Sequence, residues 1–290
     1  MKLKENNKIL ISFQKIINKY CKYTVYDIAI SSIFLAIYLG LIFLLRLTVL
    51  HGKLNIQFEY IIFIVYGIVL GPFKGVVLAI IADTLNLLIR GLIPFWTIEY
   101  AIVPPLVVIV SWLLMFFYNK KNIKNFIILS LFVVATMTLM LSVFIFELIQ
   151  PVDKTIDKTF KKIFNKSNIT ILLICFFVVF LGGLIVLSLL WWKTKNEIYY
   201  LIFFIISIIF IINVIFRWLW GPFAFIKYYN RFIAKKGSAF DISDKYYIYF
   251  APIILKGVIT IPLYTAFLVP TIPFLMKYNN YKIIKKIKWY

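Results

Sequence analysis

Carboxylates are scarce in this chain of 290 residues, where 11 Asp and Glu stand against 32 Lys and Arg. There is one histidine, His51, and a single imidazole builds no metal site by itself, so no metal is expected. The two cysteines, Cys21 and Cys175, lie far apart, one before the first apolar run and one inside another. Neither has a partner at metal-ligand spacing, and a disulfide between them is not expected. No Gly-x-x-x-x-Gly-Lys-Ser/Thr loop occurs, so the chain has no such cradle for nucleotide phosphates. Gly-x-Ser-x-Gly and His-Glu-x-x-His are both missing. With its carboxylates scattered, the chain reads as a binder and not an enzyme, and no cofactor is expected. Residues 1–27 are basic and lack a compact apolar core before a small-residue cleavage site, so a cleavable signal peptide is not expected there.

Apolar sequence is what the chain has in quantity. Hydrophobic residues make up 63% of it, with a mean hydropathy of +0.96. Runs of about twenty apolar residues recur, the length a helix needs to cross a hydrocarbon core of about 30 Å. The expected fold is all-α, a polytopic bundle with spans at about 28–50, 59–71, 74–90, 97–118, 126–148, 169–192, 198–218 and 248–276. That makes eight transmembrane helices. The net charge of +21 sits largely in loops and tails, where lysines set topology and touch anionic membrane lipid; nucleic acid is not an expected partner. Residues 1–27 form an amphipathic basic segment, with Ile9, Leu10, Phe13, Ile16, Ile17 and Tyr20 at helical spacing among lysines. These lysines place the N-terminus in the cytoplasm, Lys120, Lys121 and Lys124 mark a return to it, and the basic tail 277–290 places the C-terminus there. The basic stretch Asp153–Lys166 falls outside on this count, against the charge bias.

Within this frame the polar and small residues need reasons. An apolar run from Tyr60 meets Gly71-Pro72 and a second begins at Gly75, so two helices are expected to meet in a tight corner with Lys74 at the water interface. Asp83 and Asn86 lie three apart on one face of the following helix and, with Lys256 in the last span, are expected as buried polar groups. Lys256 is a candidate ion partner for Asp83. Ser32, Ala36 and Gly40 repeat every four residues, a strip that lets another helix approach closely, either inside this chain or on a separate subunit. Pro104-Pro105 predict a kinked or broken helix beside a cavity. Arg46, near the end of the first span, either snorkels to the outer interface or faces an anion. A ligand site near the outer face would draw on Arg46 for a carboxylate and on Gln57, Glu59, Tyr60 and Glu99 for polar contacts. Trp96, Tyr100, Trp218 and Trp220 would offer flat faces for stacking. The aromatics fit an interfacial belt equally well.

Taken in order, Arg46, the segment Ile56-Gln-Phe-Glu-Tyr60, the corner Gly67-Ile-Val-Leu-Gly-Pro72 and Ala82-Asp83-Thr84 resemble the substrate-binding S component of energy-coupling factor (ECF) vitamin transporters, most closely the folate-type branch. In that family the third helix carries Ala-Asp-Leu. The C-terminal helix often shows Pro-Arg-x-x-Lys with a further proline, and here Pro252, Lys256 and Pro262 match while Ile253 replaces the arginine. The resemblance covers 28–118 and 198–276, a six-helix core, with the pair of helices at 125–195 as an insertion. It implies capture of a vitamin, folate or another aromatic one, at the outer face of the cell membrane. It also implies partners: a transmembrane coupling subunit (T component) seated on Ser32, Ala36 and Gly40, and two cytoplasmic ATPases that drive uptake. Two other readings stand beside it, a structural or accessory membrane subunit of a larger assembly and a membrane-embedded lipid-handling enzyme.

Overall fold

The structure, a computed structural model, describes residues 23–46, 58–118, 123–149, 166–234 and 239–287. Their regular structure is helical throughout. In chain order the elements are α1 (Val25–Arg46), α2 (Glu59–Leu70), α3 (Pro72–Ile89), a 3₁₀ turn (Ile93–Phe95), α4 (Ile98–Ala101), α5 (Val103–Tyr118), α6 (Ile123–Ile149) and α7 (Lys166–Thr194). Then come α8 (Glu197–Ile212), a π-helical segment (Asn213–Leu219), α9 (Trp220–Phe232) and α10 (Ile242–Ile287). Seven helical stretches among the described residues are long and apolar enough to cross a membrane. This is the chemistry the composition demands, since hydrocarbon offers a backbone no partners and a helix supplies its own. Length and composition are those of a multi-pass membrane protein. The remaining apolar helix, α2, has 12 residues. At about 1.5 Å per residue it spans roughly 18 Å, short of a hydrocarbon core of about 30 Å.

Three boundaries differ from the sequence reading. The expected end of a span near 218 is overridden, because helix continues from Glu197 to Phe232. The wider π turn breaks the i→i−4 register there, so Pro222 falls in the first turn of α9, where it withdraws no α-helical bond. The last helix begins at Ile242 and continues through four internal prolines to Ile287, well into the expected basic tail. Pro104 and Pro105 do coincide with a break, but it falls at Ile102, and the prolines then occupy the opening turn of α5. Residues 1–22 of the amphipathic segment, the loop 51–57 and the stretch 153–165 lie outside the described residues.

The chain divides into two compact units, Met1–Trp96 with Ala101–Trp112, and Thr97–Tyr100 with Leu113–Tyr290. In the first, α2 and α3 turn about Gly71 at φ 83°, a left-handed value that favours glycine, with Pro72 opening α3. Gly67 and Gly75 flank this corner for a different reason. A methyl group at Gly67 would collide with the Val108 carbonyl of α5, and one at Gly75 would come within 2.8 Å of the Val108 side chain. The two glycines let α5 lie against the hairpin. Lys74, expected at the water interface, is instead buried and its Nζ lies 2.7 Å from Asp27 at the start of α1. Thr24 donates both its backbone N–H and its hydroxyl to the same Asp27 oxygen, a capping arrangement that fixes the carboxylate for the lysine.

In the second unit the helix Glu197–Phe232 is the most enclosed, with 72% of its most apolar window buried. Its rings stack on those of α6 and α7: Phe203 on Phe126 at 4.4 Å between centroids and Phe210 on Phe180 at 4.1 Å. By contrast Leu131, Val134, Val178, Val179 and Ile185 of α6 and α7 stay exposed, as lipid-facing residues do.

Candidate functional site

The residues singled out from the sequence are divided between the two units. In the first, Glu59 opens α2, where the helix dipole favours a negative charge. Its Oε1 accepts a hydrogen bond of 3.0 Å from Asn86 Nδ2 on α3, so both residues serve at least to tie the two helices together. Asp83 lies one turn earlier on α3, half-buried, and among the described residues no hydrogen bond or ion pair reaches it. The Tyr38 hydroxyl of α1 is fully buried. Its ring rests on Phe63, one turn along α2 from Glu59, at 5.6 Å. Tyr60 is buried, while Trp96, after the 3₁₀ turn, is 47% exposed. Arg46 is the last residue of α1; its side chain, like all of Gln57, lies outside the described residues.

In the second unit Glu99, Tyr100 and Trp220 do come together. Trp220 Nε1 donates to the Glu99 carbonyl at 2.7 Å, and the Glu99 carboxylate faces Arg231 at 3.8 Å. Its Oε2 is buried and has no hydrogen bond among the described residues. Tyr100 meets Tyr228 edge to face at 6.1 Å. Tyr100 and Trp220 keep partly exposed faces beside this ion pair. Tyr228 and Arg231, both on α9, complete the group and were not among the residues expected. Ending the span near 218, as the sequence suggests, hides the helical spacing that puts 220, 228 and 231 near one another.

Trp218 goes elsewhere. It is fully buried, with its indole so close to Gly257 of α10 that no side chain fits there. Beside it Arg217 is 5% exposed and donates from Nη1 to the Tyr264 hydroxyl at 3.2 Å. Lys256 precedes Gly257 on α10, whereas Asp83, its expected ion partner, belongs to the other unit. Arg217 went unremarked, although an ionised residue in an apolar run is itself a signal.

On α1 the residues Ser32, Ala36 and Gly40 are all exposed, and a methyl group at Gly40 would meet nothing within 4 Å. Nothing in the described structure covers this strip. No three His, Cys, Asp or Glu side chains among the described residues come together as a metal site. No family model, curated protein or solved structure matches this chain.

Proposed function

We propose that the chain is the substrate-binding S component of an ECF-type vitamin importer in the cell membrane, capturing folate or another aromatic vitamin for ATP-driven uptake. Two cytoplasmic ATPases and a transmembrane coupling subunit would supply the motion. On this reading α2 counts as a short eighth span, both termini are cytoplasmic, and α6 and α7 are a helix pair added to a six-helix core. The chain itself carries out no catalysis.

The observation that carries the reading is the open strip on α1. Small residues four apart usually mark a close helix–helix contact, yet Ser32, Ala36 and Gly40 are all exposed, and among the described residues a side chain at Gly40 would meet nothing within 4 Å. They lie where the resembling family seats its coupling subunit. The order of Arg46, the Gly-Pro corner and Ala82-Asp83 supports the same family. The half-exposed Tyr100 and Trp220 faces provide stacking surfaces for a flat ring.

The test is co-purification in mild detergent with a candidate coupling subunit and ATPase pair expressed alongside. Ser32→Leu, Ala36→Leu and Gly40→Leu together should abolish the association while leaving the thermal transition of the isolated chain in place. Retained association in that triple variant would overturn the assignment of the strip. A thermal-shift screen against vitamins separates this reading from that of an accessory subunit, which would bind none.

A further inference from the structure

Among the described residues of the second unit, two cations that are at least half-buried, Arg217 and Lys256, have no carboxylate partner. Arg217 is buried within the helix Glu197–Phe232, and Lys256 is half-buried on α10. Neither makes an ion pair among the described residues; those that do include Lys74 with Asp27 and Arg231 with Glu99. Of the five N–H donors of the Arg217 guanidinium, one is used, toward Tyr264. Beside it the Trp218 indole N–H is a second fully buried donor with no acceptor.

The local structure directs these donors toward one face of α10. Lys256, Thr260 and Tyr264 recur every four residues and so share a side of that helix. Arg217 reaches Tyr264 at one end of the row, and Trp218 lies over Gly257 at the other, next to Lys256. The π-helical turn Asn213–Leu219 carries both Arg217 and Trp218, and such turns recur at binding sites because they re-aim side chains. On α6 Glu147 is buried, and the Tyr246 hydroxyl donates to the Leu219 carbonyl.

A guanidinium does not lose its proton inside a protein. A buried charge without a counter-charge costs several kcal/mol. A water molecule could bridge the unpaired Asn213 Oδ1 to one N–H, but it would leave the charge standing. A group with negative charge and several acceptor atoms answers the charge and the spare donors together. We propose that Arg217, Lys256 and Trp218 form a binding site for an oxyanion, a carboxylate or phosphate group, inside the helix bundle of the second unit. The site is distinct from the Glu99–Tyr100–Trp220 group, and it does not depend on the vitamin-uptake reading.

Two sources can supply such a group, a small solute or a phospholipid headgroup, and one experiment separates them. The full chain in a nonionic, phosphate-free detergent without phospholipid is titrated with sodium phosphate and with sodium benzoate at constant ionic strength. In parallel it is titrated in the same detergent with phosphatidylglycerol. A saturable rise in the melting temperature, about 5 °C at a hundredfold excess over Kd, with phosphate or benzoate identifies a soluble oxyanion. A rise only with phosphatidylglycerol identifies the headgroup. Arg217→Gln should abolish either rise and should melt no lower than the parent when no anion is present, because it removes an unanswered charge. Lys256→Gln should weaken the response about tenfold without removing it, which keeps the test open should Arg217→Gln fold poorly. No rise in any arm, an undiminished rise in both variants, or an anion-free Arg217→Gln protein that folds but melts well below the parent, would overturn the site.

Discussion

At the scale of single residues, Gly67 and Gly40 make a matched pair, two helix glycines with opposite surroundings. Gly67→Ala pushes a methyl group into the Val108 carbonyl, and overpacking of this kind costs about 1–3 kcal/mol. Gly40→Ala meets open space and should stay within about 0.5 kcal/mol of the parent, as exposed substitutions do. Thermal unfolding in detergent distinguishes them, and equal losses would mean that α5 does not lie against the corner. The Lys74–Asp27 pair gives a second case. Lys74→Met strands a partly buried carboxylate that keeps its Thr24 bonds, so the expected loss is about 1–3 kcal/mol, below that of a fully buried pair. Asp27→Asn combined with Lys74→Met should cost less than the two single changes summed, which a double-mutant cycle in detergent measures.

At the scale of the element, the π-helical segment fixes which side chains face α10. Deleting one residue from it, Val214 for instance, should restore α-helical winding and turn every later residue by about 100°. Trp218 would then leave its seat on Gly257. The expected outcome is a cooperative loss of folded protein, seen as aggregation on size-exclusion chromatography, although the hydrophobic length of the span is hardly changed. This segment also marks the limit of what the chain reveals before folding. Gly71-Pro72 and Pro104-Pro105 could be read directly, because proline and left-handed glycine restrict the backbone on their own. The apolar run Ile198–Ile212 was equally plain. The π turn at Asn213–Leu219 has no such marker. Missing it ends the span near 218, and so separates Tyr228 and Arg231 from Glu99 and Tyr100. The Asp27–Lys74 and Asn86–Glu59 contacts were hidden for another reason. They depend on the register between helices, which composition does not specify.

For the whole molecule, the Asp27–Lys74 contact constrains topology more tightly than the charge bias does. The start of α1 and the start of α3 must lie at the same membrane surface. In a background without Cys21 and Cys175, Tyr23→Cys and Phe73→Cys should therefore react alike with an impermeant maleimide applied to intact cells. Both should be protected if that surface is cytoplasmic. Labelling of one and not the other would contradict the contact of 2.7 Å between Lys74 and Asp27. The exposed apolar residues of α6 and α7 fit a lipid boundary, and their exchange for other apolar residues should leave folding unchanged.

The twelve described residues of α2 are too few to hold a stable place across a bilayer unaided, and a single glycine joins them to α3. Biogenesis must then treat the two as one insertion unit, released sideways from the translocon as a closed hairpin. A nascent chain halted just after Leu70 should slip back out of the membrane, whereas one halted after Ile89 should stay.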